Sequence, residues 1–415
     1  MTPPRTATSR LHNPVHRLWR LLPPRLRREA LFTFMEWLAP RPDTLPPRPT
    51  GPITVAGYFT AISGLGEAAR RVADMLEAAG ATVHRADLTG ALRQGRPGPR
   101  PVVPPGPGTL VMHVNGPMLP WGMRVLGGHA VRGKRVFAYW NWELPRLPPD
   151  WNRGYRFVHG ILASSDFVAD AVRRGEAPPV SVVHYPVPAP IPAPLTRADL
   201  GLPDDAFLFL SVFNASSSVE RKNPLGAIAA HRAAFGRRPD RVLLLKTYNT
   251  AMGGKSWREV VAAAADAPNV RIIDREMTRG EVWGLMHLAD AFISLHRSEG
   301  VGFALIEAMR LGRPVIATGW SGNMDFMDAE SAMLVGWRLV PAVDERGTYT
   351  LPGAEWAEPD IAEAASACVT LADDPVLRSR IAAAGQRRVA ALGVAECGAR
   401  AMTALGLGAF RQPLP

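Results

Sequence analysis

Short apolar runs alternate with helical patterns through most of this chain, and that alternation restricts it to an α/β architecture. The sharpest unit is residues 291–325, AFISLHRSEGVGFALIEAMRLGRPVIATGWSGNMD. Residues 291–295 are an apolar run that ends at His296, and residues 297–302 are a polar turn with two glycines. Residues 303–311 have helical spacing and are closed by Gly312. A second apolar run, 314–318, leads into a second polar turn, 319–323. This order predicts strand, loop, helix, strand, with parallel strands and a right-handed crossover. Glu299 falls in the first loop and Glu307 about one turn into the helix.

At 415 residues the chain exceeds one ordinary core, so two domains are expected. A hydrophobic share of 47% against 20% charged residues excludes a disordered chain. No apolar run is long enough to span a bilayer, and no cleavable signal pattern is present. Cys368 and Cys397 form neither a disulfide framework nor a metal spacing, which predicts a reducing cytoplasm.

The net charge of +11 is uneven. In the first thirty residues Arg5, Arg10, Arg17, Arg20, Arg25, Arg27 and Arg28 face Glu29 alone, with Leu18, Trp19, Leu21, Leu22, Leu26, Leu31, Phe32 and Trp37 interleaved or following closely. Such a segment, residues 1–40, suits an anionic membrane surface at the inner face of the plasma membrane. A proline-broken tail is the competing reading. Nucleic acid is not expected, since no helix-turn-helix, zinc or aromatic RNA-binding signature is present.

The expected layout is a basic, proline-rich segment (1–50), a first Rossmann-like domain (51–190), a second (191–375) and a helical end (376–415). In the first domain, residues 53–58 read as a strand, 59–66 as a loop bearing Gly64 and Gly66, and 67–79 as a helix ended by Gly80. Glycines at a first strand-to-helix turn let backbone N–H groups face an anion, although a tight turn without ligand explains them equally well. Further strands are read at 109–114, 135–140, 160–163 and 180–185. His113, at a strand end, is a candidate general base or polar contact; a structural role competes. Trp140, Trp142 and Glu143 fit a sugar-stacking surface or an aromatic patch between domains.

Residues 186–194 are a proline-rich hinge, and a second alternating series begins at Phe207. Polar loops after Phe213, Lys246, Ile273, Leu295 and Thr318 all leave strand ends. In a parallel sheet they share the carboxyl edge, where open α/β sheets bind ligands. Lys222, Lys246, Arg275, Glu299, Glu307 and Asn323 are thereby expected to converge, with Gly64 and Gly66 facing them across a cleft. Residues 376–405 read as a long basic helix interrupted near Gly393, packing back across both domains.

A diphosphate ligand accounts for these pieces. Arg221 and Lys222 precede a helix and can neutralise a pyrophosphate leaving group. The helix start after Gly300 offers free N–H groups, and Gly300 and Gly302 permit close backbone approach. Glu307 can accept from a ribose diol and Glu299 from sugar hydroxyls.

These motifs carry a family resemblance. HRSEGVGFALIEAMRLGRPVIATGWSGNMDF resembles the carboxyl-half signature of retaining GT-B glycosyltransferases of the family 4 type. SVFNASSSVERKNPLGAIAAHRAAF resembles their donor-phosphate loop, and AGYFTAISGLGEAARR their amino-domain glycine loop. VFAYWNWELPRLPPDW with ILASSDFVADAV resembles a surface-polysaccharide subgroup. The resemblance implies two Rossmann-like domains facing across a cleft, C-terminal helices packed back over the first domain, no cofactor and no required metal. It implies a nucleotide-sugar donor, of UDP or GDP type, and a glycan or lipid-linked hydroxyl acceptor, with retention of configuration.

By position, Glu307 would hold the ribose. Glu299 and the amides of Gly300, Val301, Gly302 and Phe303 would hold the sugar, Lys222 the diphosphate, and His113 the acceptor side. The family's companion arginine, several residues before that lysine, is replaced here by Asn214-Ala215-Ser216-Ser217-Ser218, which passes its role to Arg221 or leaves it unfilled. A nucleotide-sugar epimerase on the same fold and a non-catalytic glycan-binding scaffold are the alternatives.

Overall fold

The computed structural model describes residues 23–92, 95 and 98–408. The arginines and aromatics expected to form a basic segment before residue 23 lie outside the described residues.

Two parallel six-stranded sheets organise the chain. The first contains β1 (Ile53–Gly57), β2 (Val83–Asp87), β3 (Gly108–His113), β4 (Lys134–Trp140), β5 (Gly160–Ala163) and β6 (Val180–Val182), in the order β2-β1-β3-β4-β5-β6. The second contains β7 (Phe207–Val212), β8 (Arg241–Thr247), β9 (Val270–Asp274), β10 (Ala291–Ser294), β11 (Val315–Thr318) and β12 (Met333–Val335), in the order β12-β11-β10-β7-β8-β9. Every residue of β1 and β3 is buried, as expected when helices cover both faces of a parallel sheet. Each order changes direction inside its sheet, and the loops at that switch leave the carboxyl edge.

The helices are α1 (Pro24–Leu38), α2 (Gly64–Ala78), α3 (Leu119–Leu126), α4 (Asp166–Arg173), α5 (Val219–Lys222), α6 (Pro224–Phe235), α7 (Gly254–Ala265), α8 (Arg279–Leu288), α9 (Phe303–Arg310), α10 (Ile361–Asp373), α11 (Pro375–Ala390) and α12 (Val394–Ala404). The central unit 291–325 forms β10, α9 and β11 in the expected order, and β10 pairs β11 in parallel. Gly312 closes α9 at φ +66, a left-handed conformation that glycine adopts at low cost.

Two expectations are corrected. Residues 64–66 are not loop but the first turn of α2, because Ser63 accepts a hydrogen bond from the Gly66 amide and caps the helix. Residues 24–38 are helix and not tail: Met35 and Ala39 are buried, α1 packs on α3, and Arg153 pairs with Glu29 and Glu36. The C-terminal helical stretch is interrupted at Gly393 as expected, with α11 ending at Ala390 and α12 starting at Val394.

α12 does pack back on the first domain. A Cβ at Gly398 would lie 2.4 Å from the Met75 carbonyl oxygen of α2, so only glycine permits this contact. Val187 in the hinge donates its amide to Leu392. One buried apolar cluster runs through Val55 and Tyr139 of the first sheet, Leu210 and Phe292 of the second, Ala401 of α12 and Leu405 just after it. An unexpected antiparallel hairpin, β13 (Trp337–Pro341) and β14 (Glu355–Pro359), reaches back to the first domain. Its Ala342, Tyr349, Ala354 and Trp356 join the core cluster that contains Trp140, Trp142 and Trp151.

Candidate active site

The loop between β7 and α6 places two cations by local capping. Ser218 accepts from the Arg221 amide, and Asn223 accepts from the Gly226 amide while donating to the Leu295 carbonyl at 2.9 Å. That last bond ties the loop to the end of β10. Pro224 occupies the first helical position of α6, where its missing N–H costs nothing.

Arg221 donates to the carbonyls of Ser298 (2.7 Å) and Ser217 (3.1 Å) and to Glu299 at 3.3 Å. Lys222 donates to the other Glu299 oxygen. The Glu299 amide donates to the Ser321 hydroxyl at 2.9 Å. Ser218, Asn223 and Ser321 have positive φ (71°, 51° and 82°), three of the four such non-glycine residues among those described. Backbone strain is concentrated where the loops meet, as it is at functional sites elsewhere.

Burial opposes the charged form of Glu299, but Lys222 and Arg221 overcome it and hold the carboxyl down at about 2. Lys222 shows the reverse balance. Burial lowers its pKa, and Arg221 adds to the lowering although Glu299 offsets part of it. One carboxylate thus serves two cations at hydrogen-bond distance, a site whose electrostatics favour a further anion. α9 begins directly beyond it at Phe303, after Gly302 at φ +87, so the helix's first amides and positive dipole end point to the same region.

Glu307 lies one turn into α9 and faces the first domain. Its carboxylate accepts from Arg71 of α2 at 2.7 Å; Arg71 also donates to Glu67 and to the hinge carbonyl of Pro186. Further contacts close the cleft. Ser165 donates to the Gly300 carbonyl at 2.7 Å, and Ser298 donates to the Glu143 carbonyl. Asp325 accepts from the Asp166 amide and pairs with His184 at 2.8 Å. A Cβ at Gly300 would meet the Trp142 carbonyl oxygen at 2.7 Å. A cavity of about 490 Å³ lies elsewhere, between the start of β1, His84 and Met402. Its walls carry none of these groups.

Arg221, Lys222 and Glu299 therefore form one cluster, and Gly300, Val301, Gly302, Phe303 and Glu307 continue it along the start of α9. His113 is linked more remotely. Its Nε2 lies 2.7 Å from the Tyr185 hydroxyl, Tyr185 accepts from Asn141, and the Tyr185 ring contacts Phe303. Burial lowers the His113 imidazole to about 4, so it is neutral over the ordinary pH range. Trp140 and Trp142 are buried, stacked among Trp151, Tyr155 and Tyr349, which makes them an inter-domain patch. Glu143 accepts from the Tyr349 hydroxyl at 3.1 Å.

The remaining candidates hold other positions. Lys246 is buried and donates to the carbonyls of Thr247 and Arg275, joining the ends of β8 and β9. Arg275 pairs with Glu281 at the surface. Asn323 is buried and donates to Thr318, fixing its own turn. Gly64 is exposed in the first turn of α2, and Gly66 packs against the carbonyls of Tyr58 and Ala61.

Sequence reasoning missed Arg71, Ser165, Ser321 and Tyr349. Ser321 stood in the polar turn after β11 and was available to it. Arg71 and Ser165 carry no local signal, since each depends on a partner in the other domain. Tyr349 sits on the unexpected hairpin, within 5.4 Å of the Arg221 guanidinium carbon.

Residues 244–346, from β8 into the hairpin, match the family model described as Glycosyl transferases group 1; the match includes Glu299 and Glu307 but not Arg221, Lys222 or Arg71. No curated protein sequence matches the chain. Among solved structures, Anabaena Alr3699/HepE in complex with UDP-glucose is similar at 13% identity and TM-score 0.62, covering 85% of this chain and 99% of that one. Sucrose-phosphate synthase from Thermosynechococcus elongatus is similar at 17% identity and TM-score 0.62, covering 86% and 98%. A glycosyltransferase from Rickettsia africae ESF-5 is similar at 14% identity and TM-score 0.61, covering 85% and 97%. With its two parallel sheets facing across a closed cleft, the chain has the two-domain α/β GT-B fold, and its second domain carries the glycosyl transferases group 1 match.

Proposed function

We propose that this protein is a retaining glycosyltransferase that moves a hexosyl residue from a nucleotide-diphosphate sugar to a hydroxyl acceptor, a glycan or a lipid-linked glycan. The observation that carries the proposal is the Lys222–Glu299–Arg221 cluster beside the start of α9, with Glu307 one turn further on. The pairing of an anion-seeking cation with two carboxylates suits a ligand that joins a diphosphate to two sets of hydroxyls. The Anabaena relative is described with UDP-glucose, so UDP sugars are the first donors to test, ahead of GDP sugars.

In this scheme Lys222 and the first amides of α9 bind the diphosphate. Arg221 is committed to Ser298, Ser217 and Glu299, so its work is to position Glu299. A carboxylate has about four lone-pair sites, so Glu299 can keep its cations and still accept from a sugar hydroxyl. Glu307 accepts from the ribose diol once Arg71 releases it.

The acceptor oxygen bonds to the anomeric carbon on the face the diphosphate leaves. The C–O pair departs with the phosphate oxygen, which takes the acceptor proton, giving a glycoside and a nucleoside diphosphate. The protein contributes position and electrostatic stabilisation. The proposal assigns no cofactor and no metal to these steps.

Thermal shift against a panel of nucleotide sugars tests donor binding, since a ligand of the native state raises its midpoint. One donor class should raise it, and Glu307→Ala should abolish both that rise and sugar transfer. Unchanged binding and turnover in that variant would overturn the assignment. Release of an altered sugar nucleotide without any acceptor would favour an epimerase.

A further inference from the structure

α1 carries an uncovered apolar face. Trp37 is 78% exposed, Leu26 55% and Phe34 53%, and Leu31 and Leu38 are exposed beside them. At 100° per residue these five positions share an arc of about 140°, the stripe of an amphipathic helix. The opposite side is already used: Met35 and Ala39 are buried, and α1 packs on α3. Phe34 and Trp37 also touch each other, with ring centroids 6.2 Å apart. A cluster of large apolar side chains on one exposed face marks a contact site.

Charge identifies the partner. Residues 1–42 contain eight arginines and only two acids, Glu29 and Glu36. Both acids pair with Arg153 of the first domain, so neither offsets the arginines that precede them. Bulky apolar side chains in a segment where arginine outnumbers acid eight to two fit an anionic lipid surface, where rings and leucines enter the acyl boundary and guanidinium groups meet phosphates. Among the described residues no helix is long and apolar enough to cross a membrane, so the contact is interfacial.

We propose that the Leu26–Leu31–Phe34–Trp37–Leu38 face of α1 docks on an anionic phospholipid bilayer. α1 rests on α3, which follows the carboxyl end of β3 where His113 lies. Docking therefore sets the α1–α3 flank of the first domain against the bilayer. A docked first domain would meet a lipid-linked acceptor on its own membrane, a consequence that rests on the transferase reading; the docking itself does not.

Flotation of the full chain with vesicles of phosphatidylcholine, with and without phosphatidylglycerol, tests it without any turnover. The wild type should float with the anionic vesicles and stay behind with the neutral ones. The triple variant Leu31→Ser/Phe34→Ser/Trp37→Ser should lose partitioning at least about tenfold, because the apolar insertion is gone while the charge is kept. All three residues are exposed, so its thermal midpoint should stay near that of the wild type, which separates lost docking from lost folding. Equal flotation of wild type and triple variant would overturn the proposal. So would a wild type that ignores both vesicles but dimerises in solution through this face, with the triple variant monomeric. Failure of donor binding in the nucleotide-sugar panel leaves this experiment's reading intact.

Discussion

Arg71 of the first domain and Glu307 of the second form a buried ion pair 2.7 Å long, although 236 positions separate them in the chain. The pair places the carboxylate assigned to the donor ribose under a cation from the opposite wall. Arg71 holds one Glu307 oxygen, so a ribose diol that takes both carboxylate oxygens must displace Arg71.

Arg71→Met should consequently strengthen nucleotide binding. Freed from the pair, Glu307 is available to the ribose, and a tenfold gain in affinity corresponds to about 1.4 kcal/mol. Calorimetric titration with UDP measures the affinity. Small-angle scattering should show a wider, more open particle in the absence of ligand. Weaker nucleotide binding in Arg71→Met would mean that Arg71 itself grips the ligand.

Gly300 tests closure from the other side. Alanine there puts a Cβ 2.7 Å from the Trp142 carbonyl oxygen, which is main chain and cannot swing away. Gly300→Ala should wedge the domains apart and lower sugar transfer about 100-fold, the cost of misplacing groups by roughly an ångström. Both domain cores are untouched, so the thermal midpoint should barely move. Kinetics and calorimetry on the same preparation check both halves.

The two neighbouring cations should separate in their effects. Lys222→Met removes the charge assigned above to the leaving diphosphate; under that assignment it should lower kcat about 10²–10³-fold, as loss of one transition-state donor does. Arg221→Met leaves the Ser298 and Ser217 carbonyls and half of Glu299 without their donor. Breaking a buried pair in this way costs about 3–5 kcal/mol, so this variant should lose stability first. Thermal unfolding beside steady-state kinetics distinguishes the two roles.

Three buried histidines set an acid limit. Burial lowers His113, His231 and His296 from 6.5 to about 4 in the folded chain. Between those values the unfolded chain binds more protons, so stability is fully present above pH 6.5 and is lost as pH falls towards 4. Each histidine contributes up to about 1.4 kcal/mol per pH unit. Both His231 ring nitrogens are buried without a hydrogen-bond partner, between Phe209 and Phe235. His231→Leu should then be neutral or stabilising and should remove about one of three protons from the slope. Urea unfolding at a series of pH values gives that slope directly.

Much of the second domain was legible in sequence because its signals are local. Glu299 and Glu307 share one strand–turn–helix unit, and Lys222 stands just before a proline-started helix. Periodicity, capping residues and glycine positions depend on a few neighbours only, so the chain itself announces β10, α9 and the loop before α6. Lys246 and Arg275 share the right sheet edge but not the cluster, and Asn323 meets it only through the Ser321 hydroxyl. Strand order fixes the edge a residue occupies, whereas side-chain partners decide where its charge goes: Lys246 went to two carbonyls, Asn323 to its own turn and Arg275 to Glu281.

The amino-acid sequence by itself determined the α/β alternation, the two-domain division and the carboxylates of the second domain, since each follows from local pattern. Only the tertiary structure decided that Arg71 meets Glu307, that Ser165 meets the Gly300 carbonyl, and that the β13–β14 hairpin brings Tyr349 to Glu143. It also decided which face of α1 is covered and which is bare. These contacts join residues more than a hundred positions apart, and no short-range propensity encodes them. They arise when two separately specified domains close on each other and each polar group left in the cleft must find a partner.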